Sequence, residues 1–313
     1  MVCTIDRSPM HLQSRFPEVR IQEDFQVYLE GVVNKTLPGP YVYRIWAPYL
    51  VFFLHECTPF ISALMFDFLL KIFILVFCQF AFFSYLRHFF SGVAALAGVL
   101  WLDVLIWASL FHIQGPSLIE TTDLMNVLVC SLALCAINRG QFILLCAVLL
   151  GGTFNRETTW ILLPILFLRE WFGPRSWRRL LVAVVAVALP YFGLRWLIAS
   201  PTPIWFLTED IRLNIPLLSP QHTWGALVAN LHLIFWLGPL IVLSIYRFRE
   251  QPFFLQIVSS IAPLFIIIHF IVGSIRETRL WMPLYLLLIP LALGNLIKLL
   301  QDGSKPLSPL ERP

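Results

Sequence analysis

Residues 141–169, QFILLCAVLLGGTFNRETTWILLPILFLR, contain two apolar runs separated by a polar break at residues 155–157. The two runs, 141–153 and 158–168, are each shorter than the roughly 20 residues that a membrane-spanning helix needs. The stretch therefore forms either a pair of short helices that meet at one membrane face, or one long bent helix. This choice decides the fold, because the direction in which every later segment crosses the membrane depends on it.

The composition of the whole chain places this stretch in a membrane protein. Of its 313 residues, 58% are hydrophobic and only 13% are charged, more apolar surface than a soluble fold can bury. Backbone polar groups in lipid must be hydrogen-bonded internally, so the long apolar runs predict helices. We expect an all-α polytopic membrane protein with the short helix pair and about seven full spans, at 60–86, 89–113, 118–137, 180–198, 224–246, 253–273 and 280–300.

The distribution of Lys and Arg favours the pair of short helices. With that pair, one side of the membrane receives a large group of basic residues: Arg87, Arg139, Arg169, Arg175, Arg178, Arg179, Arg247, Arg249 and Lys298. With one long helix, the cluster at 175–179 faces the opposite side. Because basic residues concentrate in cytoplasmic loops, we predict the short pair, with this basic side in the cytoplasm. The expected location is the inner (plasma) membrane of the cell, and the net charge of +4 does not indicate nucleic-acid binding.

The remaining organisation follows from this topology. Residues 1–48 form an extracytoplasmic segment, 49–300 a transmembrane helical domain and 301–313 a short cytoplasmic tail. The stretch 41–56, YVYRIWAPYLVFFLHE, is aromatic and amphipathic, which predicts a helix lying in the membrane interface. The six cysteines are scattered without the spacing of a zinc site or a disulfide framework, and we assign no metal ligands.

Polar residues from distant segments are expected to meet on the outer side. Ionisable groups at a membrane are energetically costly, so a group of them usually lines a functional cavity. A carboxylate there can accept the proton of a hydroxyl nucleophile. An Arg fork can bind a phosphate. The candidates are Glu23, Asp24, Tyr28, Arg44, Glu120, Asp123, Arg156, Glu157, Arg276, Glu277 and Arg279, with His269 nearby.

Some polar residues have a structural interpretation instead. A single Arg-Glu pair at an interface often only neutralises itself, although the sequence Arg-Glu-Thr occurs twice here. Asp67 and Lys71 are four residues apart within a span, which predicts an ion pair inside the helix bundle. Asp103 in LWLDVLIW is either part of a proton relay or a partner in a hydrogen bond between helices.

Four stretches in this order resemble the GT-C type glycosyltransferases, multi-spanning enzymes that use polyprenyl-phosphate sugars. EDFQVYLEG, followed by PGPYVYRIWAPYL, resembles their first outer loop. TTDLMNVLVCSLAL is similar to the start of their third span, and GGTFNRETTWILLP to their Lys/Arg-Glu segment at a short helix pair. IRETRLWMPLYLLLIPLAL resembles the last helix of uncharacterised bacterial members. The likeness covers roughly residues 20–300.

The resemblance implies a GT-C-like bundle and an inverting sugar transfer from a polyprenyl-phosphate donor, with or without a divalent metal. Asp24 matches the catalytic acid of the first outer loop best, followed by Glu23. The residues then expected to bind the substrates are Tyr28, Arg44, Asp123, Arg156, Glu157, Arg276, Glu277 and Arg279. Within this group, Glu157 and Glu277 are expected to hold the arginines in place. The site faces the periplasm or exterior, and its partners are membrane lipid and the lipid-linked donor.

Two other functions fit a polytopic membrane protein. A secondary transporter would bind its substrate near the middle of the membrane and often contains inverted repeats. A surface-glycan polymerase or ligase would have a long outer loop rich in arginine, whereas the 199–222 loop has only Arg212. The sequence leaves open the sugar, the acceptor, the metal requirement and the oligomeric state.

Overall fold

The computed structural model describes residues 17–37, 41–110, 118–173, 175–198, 235–272 and 278–303. Within these ranges the regular secondary structure is entirely helical. The helices in chain order are α1 Pro17–Val33, α2 Trp46–Cys57, α3 Ala63–Leu86, α4 Gly92–Leu110, α5 Leu118–Arg139, α6 Phe142–Asn155, α7 Leu162–Phe172, α8 Trp177–Leu197, α9 Phe235–Ile245, α10 Phe253–Ser260, α11 Ala262–Val272 and α12 Met282–Gly303.

Six segments of the described chain are long and apolar enough to cross a membrane, as expected for a polytopic membrane protein. They are Ala63–Leu86, Gly92–Ser109, Glu120–Arg139, Trp177–Leu197, Phe253–Ile271 and Arg279–Asp302. The seventh predicted span, 224–246, is described only from residue 235, where α9 begins.

The stretch 141–169 forms two helices rather than one. Helix α6 ends at Asn155, and Arg156 has an extended backbone (φ −159°, ψ 143°). A short 3-10 helix, Glu157–Ile161, then leads into α7. Arg169 lies beside Gly140, and the Arg179 guanidinium lies 5.9 Å from the Phe142 ring centroid. The chain therefore returns to the end of the bundle from which α6 started, which confirms the predicted pair of short helices.

The segment predicted as one span at 253–273 is divided into α10 and α11, with a turn at Ile261. Pro263 occupies the second position of α11. Because proline has no backbone N–H to donate to the preceding turn, a helix readily breaks just before it. The amino-terminal helix α1 was not predicted, since its polar composition gave no membrane signal, whereas α2 falls within the predicted interfacial stretch.

Helices α5 and α12 form the centre of the bundle. Both are mostly buried, whereas only about a fifth of the residues of α3 and α8 are buried. Helix α5 packs against α3, α6 and α12, and α4 packs on α12. The buried side chains of these helices form one large apolar core that includes Phe82, Tyr85, Leu134 and Tyr285.

The ends of the helices lie at two opposite ends of the bundle. The end formed by residues 155–161, here called the turn end, also contains the start of α5, because Asn155 Nδ2 donates to the Thr122 carbonyl at 2.8 Å. At the opposite end, Arg139 donates to Ser84, and Lys298 donates to the Glu250 carbonyl. The basic residues grouped by the sequence therefore lie at the opposite end, in the arrangement that the short helix pair predicts.

Gly152 is a point of close contact between α6 and α5. A Cβ atom at this position would lie 2.5 Å from Val129 Cγ1 and 2.9 Å from Thr159 Oγ1. We expect Gly152→Ala to lower the free energy of unfolding by about 1–3 kcal/mol through overpacking, measured in detergent or bicelles. Gly193→Ala in α8 is the matched control, because a Cβ there meets nothing within 4 Å. Equal effects of the two substitutions would contradict this account of the packing.

Candidate functional site

A buried carboxylate at the turn end binds two arginines from distant parts of the chain. Asp123, in the first turns of α5, is 1% exposed and forms an ion pair with Arg156 at the hairpin turn. Its second oxygen lies 3.7 Å from Arg279 Nη1. Asp123 thereby joins α5 to both segments in which the sequence Arg-Glu-Thr occurs. A buried charge is tolerated only with such compensation.

A second ion pair connects the amino-terminal segment to the hairpin. Arg44 Nη2 lies 3.4 Å from Glu157 Oε1, and the amide of Ile45 donates to the Phe154 carbonyl at 3.2 Å. Burial raises the pKa of the Glu157 carboxyl, but the nearby guanidinium groups outweigh burial and hold this pKa below its usual range. Burial lowers the pKa of the Arg44 guanidinium, yet its attraction to Glu157 dominates and raises that pKa overall. Both groups are therefore charged at neutral pH.

The hydroxyl of Tyr28 in α1 lies among these arginines. Burial raises the pKa of Tyr28 to about 12, while electrostatic attraction to Arg44, Arg156 and Arg279 opposes that rise. The Tyr28 ring packs edge-on against Tyr41, with 6.4 Å between centroids, and the Arg44 guanidinium lies 5.1 Å from the centroid of the same Tyr41 ring. We call the six residues brought together here the arginine cluster: Tyr28, Arg44, Asp123, Arg156, Glu157 and Arg279.

Several polar atoms in and beside the arginine cluster are buried without a hydrogen-bond partner in the described structure. Two of them belong to the cluster, the hydroxyl oxygen of Tyr28 and the Nε donor of Arg44. Three more are neighbouring oxygens: Asn126 Oδ1, Asn155 Oδ1 and Thr158 Oγ1. Each such atom costs free energy unless water or a ligand supplies a partner. Their concentration at this end indicates a site for a polar ligand.

A separate polar group lies next to the cluster in α3 and α5. Lys71 Nζ lies 2.9 Å from Asp67 Oδ2 and 3.1 Å from Glu120 Oε2, and Thr121 donates to Asp67. The predicted pair of Asp67 and Lys71 is therefore present, and Glu120 belongs to it rather than to the arginine cluster. Asp103 accepts a hydrogen bond from Gln79 of α3 at 2.9 Å, which supports the helix-to-helix interpretation over the relay.

The other predicted site residues are described less completely. Glu23 and Asp24 lie in α1, with Asp24 one turn before Tyr28, but their side chains are outside the described residues. Arg276 and Glu277 are outside the described residues altogether. His269 is buried, stacks on the Phe265 ring at 3.9 Å between centroids and donates from Nδ1 to the Phe265 carbonyl at 2.9 Å, so its described contacts are those of packing.

Four further residues at this end were not predicted. Asn126 and Asn155 carry no charge, and the predicted site was built mainly from ionisable residues. Asn155 nevertheless directly precedes Arg156 in the unusual stretch TFNRET. Tyr41 looked like part of the interfacial aromatic stretch. Arg195 stacks on the rings of Tyr191 at 3.6 Å and Tyr43 at 4.5 Å, and its charge contributes to the low pKa of Glu157.

The described residues contain no group of three His, Cys, Asp or Glu side chains that could together hold a metal ion. No protein-family model, curated protein or solved structure matches the chain.

Proposed function

We propose that this protein is a membrane glycosyltransferase that moves a sugar from a polyprenyl-phosphate donor to an acceptor hydroxyl at the turn end of the bundle. The observation that carries the proposal is the meeting of three guanidinium groups, from Arg44, Arg156 and Arg279, around the buried Tyr28 hydroxyl. Among the described residues, Asp123 pairs with Arg156 and Arg279, and Glu157 pairs with Arg44. A phosphate would supply oxygen acceptors for the unpartnered Arg44 Nε and Tyr28 hydroxyl, and its negative charge suits this group of arginines.

The membrane position suits a lipid-linked donor. The cluster lies at one end of the spanning helices, so a phosphate bound there leaves its isoprenoid chain in the hydrocarbon layer beside the bundle. The Arg44 Nε donor and the Tyr28 hydroxyl have no partner in the described structure, and both can bond to phosphate oxygens. We propose that this end lies at the outer face of the cytoplasmic membrane, because the basic residues at the opposite end favour a cytoplasmic position for that end.

The proposed reaction transfers the sugar in one displacement. The acceptor hydroxyl loses its proton to a carboxylate, its oxygen bonds to the anomeric carbon, and the bond from that carbon to the phosphate oxygen breaks. The electron pair of this bond stays on the phosphate, which leaves as polyprenyl phosphate. Fixed arginines stabilise the charge that develops on the leaving group, and holding both substrates in place supplies much of the remaining acceleration.

The proposal gives the carboxylates of the site different roles. Asp123 and Glu157 each form ion pairs with arginines, so in the proposal they orient the phosphate-binding groups and do not accept a proton. Asp24, one helical turn before Tyr28, is left as the proposed base. Glu23 is the next candidate. Arg276 and Glu277, which precede Arg279 in the sequence, are proposed to complete the phosphate site.

The position of the cluster favours an enzyme over a secondary transporter. A transporter's binding site lies near the bilayer midplane, between discontinuous helices. Near the middle of the described spans, Asp103 accepts a hydrogen bond from Gln79 through one of its two oxygens, whereas most of the unpartnered buried polar atoms of the described residues lie at the turn end.

Polyprenyl phosphate is the product common to all reactions of this class, so its binding tests the proposal before the sugar is known. We expect the purified protein in phosphatidylcholine nanodiscs to bind polyprenyl phosphate and not polyprenol. Arg44→Gln is expected to weaken this binding about tenfold or more, because a charge-assisted hydrogen bond to phosphate is lost. Arg44→Lys, which keeps the charge but not the fork, is expected to lie in between.

Arg178→Gln is the matched control, since it removes the same charge from an exposed position at the opposite end. Thermal unfolding of each variant verifies that it is folded. Equal binding of polyprenol and polyprenyl phosphate, or equal affinities of the folded Arg44→Gln and Arg178→Gln variants, would contradict the proposed donor site.

A further inference from the structure

A second basic site lies at the opposite end of the bundle, far from the arginine cluster. A cavity of about 560 Å³ opens between the carboxyl-terminal ends of α3 and α5. Its lining combines aromatic rings with basic and hydroxyl groups: Phe80, Phe83, Ser84, Arg87, His88 and Arg139. No acidic residue lines it, so the cavity is positively charged.

Arg139 is held in place by neighbours that do not neutralise it. Its Nε donates to His88 Nε2 at 2.9 Å, and its Nη2 donates to Ser84 Oγ at 2.8 Å. Because His88 Nε2 accepts, the His88 proton is on Nδ1, which donates to the Ser84 carbonyl at 2.7 Å. These contacts fix the guanidinium and leave both Nη1 protons of Arg139 for a ligand.

Arg87 brings a second positive charge to the same cavity. Its described hydrogen bond runs from Nη1 to the Phe90 carbonyl at 3.3 Å, which leaves Nε and Nη2 available. Within the described chain, neither Arg87 nor Arg139 has a carboxylate within ion-pair distance, whereas Arg169, Arg179 and Arg247 at the same end do. Two fixed guanidinium groups without a counter-ion match the oxygens of a phosphate.

An aromatic path on the lipid-facing side of α3 leads to this cavity. Phe73, Phe77 and Phe80 are 61%, 48% and 69% exposed, and their spacing of four and three residues places them on one helix face. The rings of Phe73 and Phe77 lie 4.4 Å apart between centroids. In a membrane, acyl chains cover this face, and it ends at the two arginines.

We propose that this cavity binds the headgroup of an anionic glycerophospholipid, with the phosphate on Arg87 and Arg139 and an acyl chain along the three phenylalanines. Basic pockets between spanning helices are suited to anionic headgroups at a membrane surface. The absence of a lining carboxylate favours an anionic lipid over a zwitterionic one, because nothing in the cavity pairs with a choline or ethanolamine amine. The aromatic path favours a lipid over a free phosphate ion.

Native mass spectrometry of the full-length protein, with phosphatidylglycerol or phosphatidylcholine of the same acyl chains, tests this site. We expect the phosphatidylglycerol affinity to exceed the phosphatidylcholine affinity. Arg87→Gln with Arg139→Gln is expected to weaken phosphatidylglycerol binding about tenfold or more. Phe80→Ala keeps both charges. It is expected to weaken lipid binding a few-fold, because the acyl chain loses the apolar surface of the Phe80 ring that it would cover.

The matched control is the double variant Arg178→Gln with Arg249→Gln, which removes the same two charges from exposed positions at the same end. It is expected to bind phosphatidylglycerol as the unaltered protein does. Equal affinities of the two double variants, equal affinities for the two lipids, or displacement of the lipid by millimolar inorganic phosphate would overturn the proposal. Retained polyprenyl phosphate binding in the Arg87/Arg139 variant separates this result from the proposed transferase function.

Discussion

Replacing Asp123 by asparagine is expected to lower the free energy of unfolding by about 3–5 kcal/mol, because it removes the buried carboxylate that pairs with Arg156 and Arg279. Asp123 is nearly inaccessible and contacts both Arg156 and Arg279. Asparagine has almost the same shape, so the loss of charge alone is tested. The measurement is reversible unfolding in bicelles or mixed micelles, followed by helical circular dichroism.

Asp103→Asn is the matched control for this prediction. Asp103 also lies within a spanning helix, but its described partner is the neutral side chain of Gln79. Removing its charge leaves no cation behind, and we expect a change below about 1 kcal/mol. Coupling gives a second check: Arg156→Gln should cost less in the Asp123→Asn background than in the unaltered protein. Similar losses for Asp123→Asn and Asp103→Asn would show that the ion pairs do not hold the turn end together.

The largest expected effect on activity is that of Asp24→Asn. If Asp24 accepts the acceptor's proton, its amide analogue cannot, and turnover of a polyprenyl-phosphate sugar should fall about 10²–10⁴-fold. Binding of polyprenyl phosphate should stay unchanged, because the arginines bind it. The measurement is sugar transfer from a panel of polyprenyl-phosphate hexoses and pentoses in membranes that contain the natural acceptors, together with the nanodisc binding assay.

Glu30→Gln provides the control in the same helix. Glu30 is exposed and accepts a hydrogen bond from Gln26 at 2.9 Å, so its neutralisation should leave turnover as it is. Full turnover in Asp24→Asn would remove this residue from the proposed mechanism, and Glu23→Gln would be the next variant to examine. The donor site would stand on its own binding result.

The helices were predictable because lipid leaves the chain few options. Apolar runs, the polar break at residues 155–157 and the distribution of basic residues were enough to place the long helices and the short pair. The predicted breaks were less accurate where a single proline acts locally, as at Pro263. Helix α1 was not predicted because the prediction followed long apolar runs, whereas α1 is polar on average and buries only one face, with Phe25, Leu29 and Val32.

We expected Tyr28, Arg44, Asp123, Arg156 and Glu157 to lie close together, because polar and ionisable groups at a membrane usually line a common cavity. Their pairing was not predicted. The sequence does not show that Asp123 takes two arginines, or that Lys71 reaches Glu120 as well as Asp67. Such choices depend on which helices are neighbours and how they are rotated. Uncharged groups such as Asn155 were missed because hydropathy and charge do not distinguish them from ordinary turn residues.

The central position of α5 has a consequence for how the chain enters the membrane during synthesis. This helix is the least apolar of the six long segments and one of the two most enclosed, and it brings Glu120 and Asp123 with it. Each acidic residue opposes transfer from the translocon into lipid, although less at a helix end than at its centre. Lys71 precedes α5 in the chain and neutralises Glu120 in the folded protein. We therefore expect α3, which is synthesised first, to assist the insertion of α5 by offering Lys71 to Glu120.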